Sequence, residues 1–276
     1  MQSGKKNNSD DRPIGIFDSG VGGLTVVQAV SKLMPSEKIV YLGDTARYPY
    51  GPRSKETVIS YSLQNMDFLL KHDVKAVVVA CNTATAFAFE VIKEKFPGLP
   101  VADVISPCAE ESLRIAGKRK IAVIGTEGTV NSGAYEAAIK SISPEHEIFA
   151  KACPLFVPLA EENEVDTKIT SLVIEKYLRE IKEGGYRCLI LGCTHYPLLR
   201  PLIEKYLEPD CEVLDSAGST ARIIKKILTE KEILREGGVC TAGHEFFVTD
   251  RPLKFREIGE RFLGRKINKL EKTEFF

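Results

Sequence analysis

VVVACNTATA (residues 77–86) and LILGCTHYPL (residues 189–198) decide how this chain reads. Each is an apolar run closed by a small residue, a cysteine and a hydroxyl-rich turn, so one device occurs twice. Four or more aliphatic residues bounded by turn signals suit a strand buried on both faces of a parallel sheet. Cys81 and Cys193 then fall at the C-terminal ends of their strands, where open α/β sheets place ligands. Asn82 and Thr83 follow the first cysteine, and Thr194 and His195 the second, supplying polar groups near the start of the next helix. A helix N-terminus there stabilises a thiolate and attracts a carboxylate. Two such thiols facing each other across a cleft would form a pair of proton-transfer groups, one for each side of a carbon centre. Burial as structural cysteines would explain either one alone. The repeated polar context favours chemistry.

Outward from these two stretches the pattern is alternating strand and helix. IGIF from Ile14, IVYL from Ile39, AVVVA from Ala76 and PVADV from Pro100 read as strands, with helices over 54–71 and 84–95. The pattern restarts at KIAVIG from Lys120. EIFAKACPLFV (147–157) reads as a strand, 166–182 as a long helix, and CLILGC closes the second unit. The run from Asp18 to Cys81 resembles in length that from Gly125 to Cys193, which suggests two related units. After EVLDS (212–216) come a helical run over 220–234, a strand-like HEFFVTD and a charged amphipathic helix from Pro252 onward. EFFVT needs a sheet neighbour, so the C-terminal part is expected to return to the first unit. The fold class is α/β: two similar, pseudo-symmetric domains with mostly parallel sheets and the active site in the cleft between them. The expected boundaries are a loose extension over 1–12, a discontinuous first domain over 13–104 plus 217–276, and a second over 105–216.

Composition narrows the function classes. The 276 residues carry 38 basic and 38 acidic side chains, so no global field points to nucleic acid. The apolar stretch over 77–89 is broken by Asn82, Thr83 and Thr85 and is too short for a membrane span. MQSGKKNNSDD lacks the apolar core of a secretion signal. Seven scattered cysteines argue against a disulfide framework and for reduced thiols in the cytoplasm. No CxxC or HxxxH pair occurs, so neither a structural metal site nor dithiol redox chemistry is expected.

Three further stretches carry candidates. IGIFDSGVGGLTV puts Asp18 and Ser19 at a strand end before glycines that let the backbone approach a small anion. Its spacing fits neither the dinucleotide fingerprint nor the P-loop, and a tight turn without ligand explains it equally well. YLGDTARYPYGPR, with Asp44, Thr45, Arg47, Tyr50 and Gly51, is an irregular polar loop suited to a lid or to a structural turn. CPLFVPLAEE brings Glu161 and Glu162. His195, two residues from Cys193, is placed to orient or receive a proton.

Together DSGVGGLTV, GDTARYPYGPR, ACNTATA, VIGTEGT, CPLFVPLAEE and LGCTHYPLL resemble the glutamate racemases of the aspartate/glutamate racemase family, in family order through most of the chain. That resemblance implies a cofactor-independent enzyme interconverting L- and D-glutamate for bacterial peptidoglycan, and a homodimer. It implies Cys81 and Cys193 as the acid/base pair, Asp18 assisting Cys81, and Glu161 and His195 assisting Cys193. The substrate would be held by Asp18, Ser19, Tyr50, Gly51, Asn82, Thr83, Thr194 and His195, with Thr126 and Thr129 as weaker carry-overs. Aspartate racemisation and non-catalytic amino-acid binding are the alternatives.

Overall fold

The structure, a computed structural model, describes residues 10–240 and 243–275. Most of the expected N-terminal extension, residues 1–9, lies outside the described residues. The strands are β1 (Ile14–Asp18), β2 (Ile39–Gly43), β3 (Ala76–Val79), β4 (Val101–Asp103), β5 (Ile121–Gly125), β6 (Ile148–Ala152), β7 (Cys188–Gly192), β8 (Glu212–Asp215), β9 (Glu245–Val248) and β10 (Leu270–Lys272). The helices are α1 (Leu24–Leu33), α2 (Lys55–Leu70), α3 (Asn82–Lys95), α4 (Ser106–Ala116), α5 (Glu127–Asn131), α6 (Ala134–Ile142), α7 (Phe156–Glu161), α8 (Lys168–Glu183), α9 (Arg200–Leu207), α10 (Ser216–Glu230) and α11 (Pro252–Leu263).

Two sheets result, ordered β10-β9-β2-β1-β3-β4 and β6-β5-β7-β8, and every pairing among the described residues is parallel. The run β2-β1-β3-β4 of the first sheet and the four strands of the second share one order, with β1, β2, β3 and β4 corresponding to β5, β6, β7 and β8. β9 pairs with β2, so the chain's end extends the first sheet.

Strand alternation sorts the core into layers. Ile14, Ile16 and Val78 of the first sheet and Ile121, Val123 and Ile190 of the second share one apolar core with α1, α4, α6 and α10. The opposite face of the first sheet packs Phe17, Val77 and Val79 on α2 and α3, and that of the second packs Ile124, Leu189 and Leu191 on α8 and α9. Burial on both faces is why these strands read as continuous apolar runs. Truncating Ile190, which is fully buried, to alanine would cost about 2–5 kcal/mol.

Three local expectations are corrected. The strand expected through Val157 stops at Ala152: Cys153 N–H makes the last ladder bond, to Gly125 O at 2.9 Å, and Pro154 has no N–H to continue it. Phe156 then opens α7 instead. The helix expected from Thr220 begins at Ser216, because Asp215 caps it by accepting from Ala217 N–H at 3.0 Å, and it ends at Glu230. The C-terminal helix ends at Leu263 on a left-handed Gly264, leaving β10 to pair with β9.

Candidate active site

In each unit the first strand sends the chain to one side and the third strand lies on the other, which opens a crevice at the strands' C-terminal ends. Asp18 ends β1 and Cys81 follows β3 at one crevice; Thr126 follows β5 and Cys193 follows β7 at the other. Cys81 caps α3, its Sγ accepting from Ala84 N–H at 3.5 Å, and its thiol donates to Ser19 Oγ at 3.6 Å. The short 3₁₀ turn Tyr196–Leu199 follows Cys193, with Pro197 near its start.

Both thiols open on one narrow cavity of about 30 Å³. Ser19, Tyr50, Gly51, Asn82, Thr83, Thr126, Thr194 and His195 line it with them, joined by Tyr48, Pro49, Val157 and Gly192. Asp18, Thr129 and Glu161 stand one step behind, each bonded to a lining residue: Thr194 Oγ1 donates to Asp18 Oδ1 at 3.3 Å, Thr83 and Thr129 hydroxyls meet at 3.1 Å, and His195 Nε2 lies 3.2 Å from Glu161 Oε1. A larger depression of about 730 Å³ between α4 and α10 holds no thiol, so size is not the guide to the chemistry.

The two crevices are sewn together by contacts between residues remote in sequence. The Asp18–Thr194 bond crosses from one unit to the other, as does the bond of 2.9 Å between Thr83 and Thr126 hydroxyls. Gly51 O accepts from Gly128 N–H at 2.9 Å, and a Cβ on Gly51 would come within 2.8 Å of Thr126 Cβ, so only glycine allows this approach. The Tyr50 hydroxyl turns away from the cavity to donate to Asp44 and accept from Asn65 Nδ2 at 3.1 Å. That network and Arg47, bonded to Asp44 at 2.7 Å, hold the loop from Asp44 to Gly51 in place.

The thiols sit in unequal fields. Burial, reinforced by the nearby Asp18 carboxylate, pushes Cys81 up to about 12. Asp18 is itself raised by burial, against the opposing pull of His195, the Gly20 N–H and Thr194. For His195 burial disfavours the cation, yet hydrogen bonds to Cys193, with Nδ1 4.0 Å from Sγ, and to Glu161 outweigh it and lift the imidazole to about 10. Glu161 is desolvated too, but bonds from His195 and Tyr48 hold its carboxyl below the ordinary range. Tyr48 is an addition to the residues expected from sequence, carrying no signal beyond its place in the irregular loop; its ring stacks on His195 at 5.9 Å while its hydroxyl reaches Glu161. Val157 carried no chemical signal and closes the cavity as an apolar wall.

Among the described residues no lysine or arginine lines the cavity. A carboxylate would be received by hydroxyls, amides, cationic His195 and the N-terminus of α3. Among the described residues no group of three or more His, Cys, Asp or Glu is placed to hold a metal ion. Two thiols, one beside a carboxylate and one beside an imidazole, can take a proton from and return one to a small carboxylated molecule between them.

Two parallel α/β units with paired thiols at their matching strand ends are the architecture of an amino-acid racemase. The chain belongs to the Asp/Glu/Hydantoin racemase family, whose model matches residues 24–224. It is 47% identical over 256 residues to the glutamate racemase of Geobacter metallireducens, covering 93% of this chain and 94% of that one. Among solved structures it is similar to the glutamate racemase of Francisella tularensis in complex with D-glutamate, with a TM-score of 0.90, 38% identity and coverage of 96% and 98%. The glutamate racemase isoform RacE1 of Bacillus anthracis matches with a TM-score of 0.91, 38% identity and coverage of 95% and 97%.

Proposed function

We propose that this chain is a glutamate racemase that interconverts L- and D-glutamate without a cofactor, using Cys81 and Cys193 as its two acid/base groups. The observation that carries the reading is that both thiols, from matching strand ends of two like units, line one cavity. Racemisation requires the α-proton to leave one face of Cα and another to arrive on the opposite face, which a facing pair can do and a single base does poorly. One sulfur takes the α-proton as thiolate while the other, as thiol, delivers its proton to the far face. In the reverse direction the roles exchange. Cys81, pushed up to about 12, starts as the thiol at neutral pH. His195 is the adjacent proton reservoir for Cys193, held in place by Glu161, and Asp18 orients Thr194.

The hard part is the charge that develops on the α-carboxylate as the proton leaves. Donors fixed in advance are the effective remedy; the buried Nδ2 of Asn82 is one with no partner among the described residues, and Thr83 and Thr194 line the same cavity beside it. Ser19, Tyr50, Gly51, Thr126 and Thr129 complete the proposed glutamate-binding set. Strand pairing supports 13–104 with 217–276 as one domain and 105–216 as the other. The destination of D-glutamate in peptidoglycan, a cytoplasmic setting and a homodimer rest on the family resemblance; no helix among the described residues is long and apolar enough to cross a membrane.

The test is to incubate the protein with L-glutamate in D₂O, with nothing added, and follow D-glutamate and deuterium at Cα. Each enantiomer should gain solvent deuterium as it converts, and Cys81→Ser or Cys193→Ser should abolish conversion while the fold survives. Conversion without exchange would sink the two-base reading, and turnover of aspartate but not glutamate would move the substrate.

A further inference from the structure

Tyr135 is not among the residues that line the cavity, yet it sits between the two cysteine turns. It projects from the first turn of α6 and is only 3% exposed. Its hydroxyl donates to Asn82 Oδ1 at 2.7 Å, bonding the residue directly after Cys81. Its ring edge lies against Gly192, the residue directly before Cys193: a Cβ on Gly192 would stand 3.0 Å from Tyr135 Cε2. The hydroxyl's other neighbour is the thiol of Cys108, fully buried on α4.

Proton accounting gives this arrangement a direction. The hydroxyl has one hydrogen, which goes to Asn82 Oδ1, and the Cys108 thiol can donate to the oxygen left behind. Asn82 therefore has its acceptor satisfied inside the protein. Its Nδ2 is buried, has no partner among the described residues, and belongs to a side chain that lines the cavity. An unmade donor at a buried position is costly, so its persistence points to a ligand. With the amide turned the other way, Oδ1 would face an incoming carboxylate and repel it.

We infer that Tyr135 is a positioning residue: by holding Asn82 Oδ1 it fixes the carboxamide with Nδ2 aimed into the cavity, where it donates to the substrate carboxylate. The inference rests on the glutamate-racemase reading. Because the same side chain touches the neighbours of both cysteines, it also couples the orientation of this donor to the closure of one unit on the other.

The test is a double-mutant cycle on the full chain with Tyr135→Phe and Asn82→Ala, reading kcat and KM for both enantiomers, Tm, and D-glutamate affinity by calorimetry. Tyr135→Phe alone should lower kcat/KM by about ten- to a hundredfold, toward the range for a lost preorganised donor. In the Asn82→Ala background the same change should cost no more than about twofold, since the amide it orients is gone. Tyr135→3-fluorotyrosine, which keeps ring and donor, should restore the value of the unaltered chain. A Tyr135→Phe enzyme within twofold of normal kcat/KM overturns the inference, as does a loss that adds in full to that of Asn82→Ala. A lowered Tm with unchanged kcat/KM also overturns it, because it marks a packing role. If the unaltered chain neither turns over nor binds glutamate, the functional reading falls and takes the inference with it; binding without turnover removes only the racemase reading, and the cycle is then read in Kd.

Discussion

Replacing Gly22 by alanine is expected to cripple the enzyme while barely touching its architecture. Gly22 has no left-handed backbone, so alanine faces no local conformational barrier. The obstacle is across the cleft: its Cβ would lie 2.4 Å from Thr194 Oγ1, 2.5 Å from His195 Nδ1 and 2.7 Å from His195 Cε1. Ordinary contact begins at 3.4 Å, so the two turns must separate by about 1 Å. Neither neighbour can step aside alone. Thr194 is tied to Asp18 at 3.3 Å, and His195 is bonded to Glu161 at 3.2 Å, stacked on Tyr48 and met at 5.4 Å by the edge of Phe262. The turn carrying Cys193 should therefore shift as a block, and a misplacement of about 1 Å at a reacting group costs about a hundredfold in rate. Overpacking of this kind costs about 1–3 kcal/mol in stability. The assay is kcat for D-glutamate formation by chiral chromatography, with Tm alongside. Gly98→Ala serves as control, because nothing lies within 4 Å of its Cβ. A Gly22→Ala enzyme within threefold of normal kcat would refute the claim that this contact sets the spacing of the two cysteine turns.

Three other outcomes are expected. Because His195 is lifted from 6.5 to about 10, its contribution to stability is complete below pH 6.5 and lost as pH rises through about 10; the Tm deficit of Glu161→Gln should therefore be largest near pH 6.5 and shrink by pH 10, and a deficit independent of pH would count against the His195–Glu161 pair. Lys75, fully buried, donates to Glu37 at 2.9 Å, Asp10 O at 2.7 Å and Ile233 O at 2.8 Å; Lys75→Met strands the Glu37 carboxylate and should cost about 3–5 kcal/mol in urea unfolding, with kcat of the folded enzyme unchanged. Thr194→Val removes a donor from Asp18, whose carboxyl burial already raises; the acid limb of kcat/KM should move to higher pH, and an unmoved limb would separate Asp18 from that titration.

The fully buried Lys75–Glu37 ion pair and the active cleft illustrate two ways of using polar groups inside. Lys75, directly before β3, ties Asp10 and the segment after α10 together, with Glu37 also accepting from Arg235 N–H at 2.7 Å. Every strong donor there is answered within the protein. At Asn82 one donor is not, and that difference separates a structural clamp from a binding group.

Sequence alone determined the strands that matter, because a strand buried on both faces must be apolar at consecutive positions and β1, β3, β5 and β7 all are. It also determined that Cys81 and Cys193 end two equivalent strands, since the hydroxyl-rich turn repeats after each. Short-range chemistry without such a pattern was less legible: β10 is three residues with two charged side chains exposed, and the start of α3 at Asn82 depends on a cysteine acting as cap. What only the tertiary structure decided is which polar groups meet. Asp18 and Thr194 are 176 positions apart, and Tyr135 and Asn82 are 53 apart. No periodicity encodes such pairings; they arise when two sheets share one core and bring their crevices face to face. The chain's local patterns specify the two halves, and the packing between them makes the site.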